Sequence, residues 1–207
     1  MNRPAFQKLI EKRIADAPHG EAFITADFLD IADTQAVNKA LSRLTEDKSI
    51  RRIIRSVYDR PYFSELLQEY TAPRMEAVAK AIARNFGWTI IPCGDTALNL
   101  LGMSTQVPAV WIYVSDGPYR EYDIDGIPLK FKHTTNKEIS KVSYKTALAI
   151  QALKALGEDN VDSDSIRRLA LAMNADEKST FLSETQYSTA WIHELAQKLR
   201  EMEKEHE

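Results

Sequence analysis

The alternation of hydrophobic and polar positions along residues 34–60 predicts a helix followed by a two-stranded hairpin. Asp33 or Thr34 supplies a side-chain oxygen suited to the N-cap of this helix. A polar corner then separates the helix from two short β-prone runs at 50–53 and 57–58, which we interpret as a hairpin. The apolar positions recur at i, i+3, i+4 and i+7, as on one face of a helix, and they are Val37, Ala40, Leu41 and Leu44.

The residues before this helix extend the pattern to that of a winged helix-turn-helix. Residues 4–15 have apolar side chains on one side and charged ones on the other, which predicts an amphipathic helix. Phe23 and Ile24 are suited to a short strand, and Thr25 to the cap of a short helix over 26–29. The predicted order is helix, strand, helix, helix and hairpin. We therefore predict a winged helix-turn-helix DNA-binding domain over residues 1–60.

The polar face of the second long helix and the hairpin after it carry side chains suited to DNA. Gln and Asn pair with adenine edges, Lys and Arg with guanine or phosphate, and hairpin arginines suit phosphates or a narrow minor groove. Because side chains alternate along a strand, one of the two adjacent hairpin arginines is expected to contribute less. The alternative is a winged helix used for protein docking or dimerisation. The candidate DNA contacts are Thr34, Gln35, Asn38, Lys39, Ser42, Arg43, Arg51, Arg52 and Arg55.

The charge distribution supports a local nucleic-acid footprint. The whole chain has a formal net charge of −3, but residues 34–60 hold seven Lys and Arg against three acids, a local +4, so that the rest carries −7. A basic patch in an acidic protein suits one DNA-binding face better than general stickiness, although an ordinary charged surface is the alternative.

The rest of the chain predicts a second domain of mixed structure. Residues 61–72 are interpreted as a connector with some helical character, and Pro73 as the start of a helix that Gly87 ends. The apolar run 109–114 predicts a buried strand, Asp125-Gly126 a hairpin turn, and the chain from 143 onward a series of helices. The predicted fold class is α+β: a winged helix-turn-helix, then a small α/β domain over 73–207 with a helical C-terminal extension.

The sequence gives little indication of catalysis. The four histidines lack the spacing of a metal site, and the phosphate-binding and nucleophile motifs of common enzymes are missing. His133, at the end of a predicted strand, is the one histidine worth examining. Asp116 and Asp125 lie in turn sequences, where aspartate is favoured for backbone hydrogen bonding alone. We predict no enzyme, no catalytic residue, no metal and no cofactor. A metal-dependent nuclease remains an alternative, and its acidic cluster would be Asp95, Asp116, Asp123 and Asp125.

Cysteine content and hydropathy indicate a cytoplasmic protein. The single cysteine, Cys93, excludes an internal disulfide and a cysteine zinc site, and its apolar neighbours predict a buried, inert thiol. No apolar run approaches the length of a membrane span, and the first residues lack the hydrophobic core of a signal peptide. We therefore expect no membrane partner.

Several stretches resemble the antitoxins of the AbiEi type, which belong to type IV toxin–antitoxin, or abortive-infection, systems. They are CGDTALNLLGMSTQVPA at 93–109, VSDGP at 114–118, FKH at 131–133, and IRRI-x-R-x-x-Y at 50–58. The resemblance covers roughly residues 20–135, and the run 93–108 is its most specific part. One departure concerns the hairpin tip. Ile54 and Ser56 stand where glycine is expected, which predicts a longer or differently shaped turn.

The resemblance implies two activities. The winged helix would bind double-stranded operator DNA and repress the operon of the antitoxin and its toxin, as a monomer or a homodimer. The rest of the chain would counteract a nucleotidyltransferase-like toxin, in the type IV manner that requires no stable complex. The alternatives are a stand-alone regulator whose C-terminal part senses a ligand or dimerises, and an enzyme that uses the winged helix for targeting. An adjacent nucleotidyltransferase-like gene would favour the antitoxin over the stand-alone regulator.

Overall fold

The computed structural model describes residues 5–134 and 139–204, and its fold is α+β, as the sequence predicts. The chain divides into two compact units. The first contains the residues up to 88 together with 123–126, and the second contains 89–122 and the residues from 127 onward. No helix in the described ranges has both the length and the apolar character to cross a membrane.

The first unit combines three α-helices with two small sheets. Strands β1, β3 and β2 form an antiparallel sheet in that order, and β4 and β5 form a separate two-stranded sheet. The order of its elements up to residue 59 is the predicted one. The elements are α1 (Ala5–Asp16), β1 (Ala22–Ile24), a 3₁₀ helix (Thr25–Phe28), α2 (Thr34–Glu46), β2 (Arg51–Ile54), β3 (Val57–Asp59), β4 (Phe63–Ser64), β5 (Glu69–Tyr70) and α3 (Met75–Phe86).

Helix α2 begins and packs as its sequence predicts. The carboxylate of Asp33 accepts a hydrogen bond of 2.9 Å from the backbone N–H of Ala36, which satisfies one of the free donors of the first turn. The four predicted apolar residues, from Val37 to Leu44, are buried in one core with Ile10 and Phe28. Burial of this face leaves the polar face of α2 on the surface.

The 3₁₀ helix that precedes α2 begins differently from the prediction. Thr25 was expected to cap it, but the Asp27 carboxylate accepts from the backbone N–H of Ile24 at 2.9 Å, and Thr25 Oγ1 donates to Asn38 Oδ1 at 2.7 Å. Because the Asp27 carboxylate accepts from the Ile24 backbone N–H, the Thr25 hydroxyl is available to bind Asn38 on α2.

The turn between β2 and β3 is short, because only Arg55 and Ser56 separate the strands. Ser56 adopts φ = +66°, the left-handed conformation for which glycine was expected. The register shifts between Arg52 and Ile54, so β2 has one residue more than β3 across this stretch. A register shift and one strained residue therefore give the turn its different shape, and the turn is not longer.

Replacing Ser56 by glycine is expected to stabilise the protein. A left-handed conformation costs a residue with a Cβ atom about 1 kcal/mol, and glycine avoids this cost. The greater freedom of glycine in the unfolded chain offsets part of the resulting stabilisation. The free energy of unfolding from urea denaturation should rise by up to about 1 kcal/mol. The matched control is Ser42→Gly in the middle of α2, which should lower it by about 0.5 kcal/mol. An equal destabilisation by both substitutions would contradict the strain at Ser56.

Residues 61–72 contain a two-stranded hairpin, so the helical character predicted for this connector is wrong. Phe63 lies opposite Tyr70, and the backbone N–H of Thr71 donates to the carbonyl of Tyr62 at 2.8 Å. Gln68 takes a left-handed conformation with φ = +54° in the turn. The apolar residues at 63, 66, 67 and 70 have the spacing of one helix face. The same spacing fits a hairpin, because residues 63 and 70 are paired across the two strands and residues 66 and 67 lie in the connection between them.

Helix α3 belongs to the first unit, whereas the sequence pattern predicts that residues from 73 onward belong to the second domain. The helix packs against β1, and Arg84 Nη2 donates to the carbonyl of Ala22 at 2.9 Å. Gly87 ends the helix in a left-handed conformation, as predicted. The apolar face of α3 was visible in the sequence, but the surface that it covers was not.

The second unit surrounds helix α5 with a four-stranded sheet and the other helices. The sheet order is β6-β7-β9-β8, with β6 and β7 antiparallel and β7 and β9 parallel. The predicted turn Asp125-Gly126, which is grouped with the first unit, joins β8 to β9, and both residues have positive φ. The elements are β6 (Ile90–Pro92), α4 (Asp95–Leu100), β7 (Trp111–Ser115), β8 (Arg120–Ile124), β9 (Ile127–His133), α5 (Tyr144–Leu156), α6 (Ser163–Leu171), α7 (Ala175–Glu184) and α8 (Ala190–Lys204), with 3₁₀ helices at Glu158–Asn160 and Thr185–Tyr187.

The core of this unit explains why α5 has apolar residues all round. Residues 146–153 of α5 are all buried, among them Leu148 and Leu153. Phe181 of α7 and Leu199 of α8 belong to the same core. A helix that is apolar on every side is one that neighbours surround.

Candidate nucleic-acid interface

The exposed face of α2 carries all six residues that the sequence predicts there. The helix turns its apolar side into the core of the first unit, so these polar side chains lie on the surface together. All six are exposed, and they are Thr34, Gln35, Asn38, Lys39, Ser42 and Arg43.

Three of these side chains are held by neighbours within the first unit. Asn38 accepts the hydrogen bond from Thr25, Ser42 Oγ donates to Glu46 Oε1 at 3.3 Å, and Arg43 Nη1 donates to Gln7 Oε1 at 3.3 Å. Within 5–134 and 139–204, the side chains of Thr34, Gln35 and Lys39 form no hydrogen bond or ion pair. The first turns of α2 therefore present uncommitted donors.

Arg51, by contrast, is committed to the sheet of the first unit. Its Nε and Nη2 atoms donate to the two carboxylate oxygens of Asp59 at 3.1 and 2.7 Å, and Nη2 also reaches the carbonyl of Thr71 at 3.2 Å. Asp59 is 1% exposed. The hydrogen bond to Asp59 raises the pKa of the Arg51 guanidinium above its ordinary value. We therefore expect Arg51 to stabilise the fold and not to bind phosphate, although it is one of the candidate DNA contacts predicted from the sequence.

The side chains of Arg52 and Arg55, unlike that of Arg51, are not held by other residues of this hairpin. Arg52 lies opposite Tyr58, and Arg51 lies opposite Asp59, so alternation places the two adjacent arginines differently, as predicted. Arg52 and Arg55 are exposed, and neither forms an ion pair or hydrogen bond with any residue that the structure describes. Together with Lys39, they are the uncommitted cations of the candidate interface.

Ion pairs that sequence reasoning missed hold the segment between α1 and α2. Arg13 of α1 forms a two-bond pair with Asp30 at 2.7 and 2.6 Å, and Arg84 of α3 pairs with Asp27 at 3.0 Å. The hydrogen bond from Arg13 holds the pKa of the Asp30 carboxyl below its ordinary value. Separations of 17 and 57 residues leave no local signal for such pairs.

The residues that were considered for catalysis have structural contacts. Asp116 Oδ1 accepts from the backbone N–H of Thr89 at 2.8 Å, and Asp123 Oδ1 from that of Gly126 at 2.9 Å. His133 Nδ1 lies 2.9 Å from the carbonyl oxygen of Gly117. Cys93 is buried as predicted, and burial raises the pKa of its thiol. In the described part of the chain, no three His, Cys, Asp or Glu side chains lie close enough together to hold a metal ion.

Comparison with known proteins gives one family match. The model of the family described as "Family of unknown function (DUF6088)" matches residues 9–181, which include most of both units. No curated protein matches the chain significantly.

Proposed function

The chain belongs to the DUF6088 family of unknown function, and we propose that this member binds double-stranded operator DNA through a winged helix-turn-helix over residues 5–60. The order α1, β1, 3₁₀ helix, α2, β2, β3 and the sheet order β1-β3-β2 support this assignment. In such a module the second helix of the helix-turn-helix enters the major groove, and here that helix is α2.

The observation that carries the proposal is the set of uncommitted polar side chains on α2 and on the hairpin after it. Gln35 and Lys39 lie one turn apart on α2, and Arg52 and Arg55 lie on the β2–β3 hairpin. In the same unit Arg13, Arg51 and Arg84 are each paired with an aspartate. Unpaired cations beside an exposed polar helix suit an anionic, hydrogen-bonding ligand such as DNA.

The residues divide between reading bases and binding the backbone. Gln35 on α2 can make two hydrogen bonds to an adenine edge, and Lys39 is suited to guanine or to a phosphate. Arg52 and Arg55 are suited to phosphates or to a narrow minor groove beside the helix. Because none of the described residues holds these side chains in place, the conformational entropy that they lose on ordering reduces the free energy of DNA binding.

For the biological role, we propose an antitoxin of the type IV kind. The supporting observation is the resemblance of residues 93–109, 114–118 and 131–133 to AbiEi-type antitoxins. On this proposal the protein acts in the cytoplasm, represses its own operon through α2 and the hairpin, and counteracts a nucleotidyltransferase-like toxin. It carries out no catalysis. The second candidate is a stand-alone regulator, for which the DNA-binding residues would be the same and the toxin would be absent.

Titration of the full chain with the DNA just upstream of its own gene tests DNA binding. At two salt concentrations, we expect binding that unrelated competitor DNA does not displace and that weakens as salt rises. Gln35→Ala should reduce the preference for the operator over competitor, with an expected loss of about 1–3 kcal/mol if Gln35 pairs with one adenine. Equal binding to every DNA, or no binding, would overturn the operator proposal.

Co-expression separates the antitoxin from the stand-alone regulator. If the neighbouring gene encodes a nucleotidyltransferase-like protein that stops growth, the full chain should restore growth. A variant with Arg52 and Arg55 replaced by alanine should still restore it when both genes are under foreign promoters, because counteraction is assigned to the other residues. Failure of the unmodified chain to restore growth would contradict the antitoxin role and leave the regulator.

A further inference from the structure

The β4–β5 hairpin presents an exposed apolar surface that the proposed DNA contacts do not use. Its large side chains are exposed by 42% at Phe63, 92% at Leu66, 61% at Leu67 and 60% at Tyr70. Single exposed apolar residues are normal on a protein surface, whereas a contiguous apolar patch of several hundred Å² is typical of an interaction site. We call these four residues the arm patch, and residues 62–71 the arm.

The arm has an apolar face and a polar face. Phe63 and Tyr70 are paired across the two strands, and their rings meet edge to face with centroids 5.3 Å apart. Ser64 and Glu69 form the next pair, and because side chains alternate they point to the opposite face. An isolated two-stranded hairpin is only marginally stable in water, so its apolar face favours a partner surface.

The base of the arm is anchored to the first unit. Arg51 Nη2 donates to the carbonyl of Thr71, and the ring of Tyr62 lies 4.8 Å from that of His19, centroid to centroid. Arg51 also holds Asp59 on β3. The arm is therefore tied at its base to the sheet that carries Arg52, while its apolar residues stay exposed.

We propose that two copies of this chain pack their arm patches together in a two-fold symmetric dimer. At the exposures given above, the two aromatic and two leucine side chains together present on the order of 500 Å². Complete burial of two such patches would remove about 1,000 Å² from water, which is about the area that a specific interface requires. The same patch on each copy meets its own equivalent, as two-fold symmetry requires.

The charges around the arm favour an antiparallel arrangement of the two arms. Glu65 lies in the turn and Arg74 follows the base, while Glu69 is on the opposite face and Arg60 Nη1 donates to the carbonyl of Ala15 at 2.7 Å, so the two signs are separated along the arm. In an antiparallel pair the acidic tip of one arm faces the basic base of the other. A parallel pair would bring like charges together, and this would oppose association.

Light scattering of the full chain during size-exclusion chromatography tests the dimer. We expect the mass of two chains at micromolar concentration and the mass of one chain for the variant with Leu66→Glu and Leu67→Glu. Both leucines are exposed, so the substitutions should leave the circular dichroism spectrum of the folded chain unchanged. The matched control is Leu171→Glu on α6, where the leucine is 78% exposed and lies outside the arm; this variant should stay a dimer.

Several results would overturn the arm dimer. One is the mass of a single chain for the unmodified protein up to its highest soluble concentration. Another is a dimer that persists in the Leu66→Glu, Leu67→Glu variant, and a third is equal dissociation by Leu171→Glu. A complex with a different protein in place of the second copy would also count against it.

A DNA-binding measurement separates the arm dimer from the proposed function. The consequence for DNA binding that follows rests on the proposed function. A dimer presents two α2 helices, so operators with two half-sites should bind the unmodified chain at least tenfold more tightly than the Leu66→Glu, Leu67→Glu variant. A single half-site should bind both equally. A dimer that binds no DNA would refute the proposed function alone, and a monomer that binds operator DNA would refute the arm dimer alone.

Discussion

Replacement of Lys39, Arg52 and Arg55 together by alanine is expected to lower affinity for operator DNA about a hundredfold at low salt. These three cations are exposed, and none forms an ion pair or hydrogen bond with the residues that the structure describes. Each phosphate contact releases counterions, and a plot of log affinity against log salt has a slope of about −0.9 per contact. Loss of three contacts should therefore make the slope shallower by about 2.7.

The control for this triple variant removes the same charge from the second unit. Lys141, Arg167 and Lys198 are exposed cations there, and their replacement by alanine should leave the slope unchanged. Both variants lower the net charge equally, so a difference between them reports position and not overall charge. Equal slopes in the unmodified protein and the Lys39, Arg52, Arg55 variant would show that this face does not contact phosphates.

Replacement of Asp59 by alanine is expected to lower the free energy of unfolding by about 3 kcal/mol. Asp59 is buried and accepts two hydrogen bonds from Arg51, whose side chain is 29% exposed. Removal of the carboxylate leaves a partly buried guanidinium without its counter-charge and weakens the link between β2 and β3. Chemical denaturation of the full chain, followed by circular dichroism, measures the loss.

The two adjacent arginines of β2 provide the sharpest comparison. Arg51→Ala should be destabilising, because it leaves the buried carboxylate of Asp59 unpaired, whereas Arg52→Ala should change the free energy of unfolding by no more than about 0.5 kcal/mol. Arg52→Ala should also make the salt slope shallower by about 0.9, and Arg51→Ala should not. A stable Arg51→Ala variant with a shallower slope would return Arg51 to the DNA-binding set.

The elements that local sequence predicts well are those whose signals lie within one turn or one hairpin. The apolar face of α2 and the Asp33 cap act between residues three or four apart. The turn at Asp125-Gly126 needs only two residues that accept positive φ. In each case the physical interaction is short-range, so the sequence contains both partners.

Residues 61–72 show how a local pattern can mislead. Apolar residues at 63, 66, 67 and 70 satisfy the helical spacing, and the segment nevertheless forms a hairpin. Contacts at the base of the segment favour the hairpin over a helix. They are the hydrogen bond from the Thr71 N–H to the Tyr62 carbonyl and the one from Arg51 to the Thr71 carbonyl. Arg51 is twenty residues from Thr71, beyond the range of any local pattern.

The sequence by itself determined the order of helices and strands up to residue 59, the polar face of α2 and its candidate contacts, because period and capping are local properties of the chain. Only the tertiary structure decided which arginines and lysines of the first unit are paired with a carboxylate and which are left without a partner among the described residues. It paired Arg51 with Asp59, Arg13 with Asp30 and Arg84 with Asp27, and it placed α3 on β1. These choices depend on which surfaces meet when the core closes, and charge alone does not show whether a partner will be near.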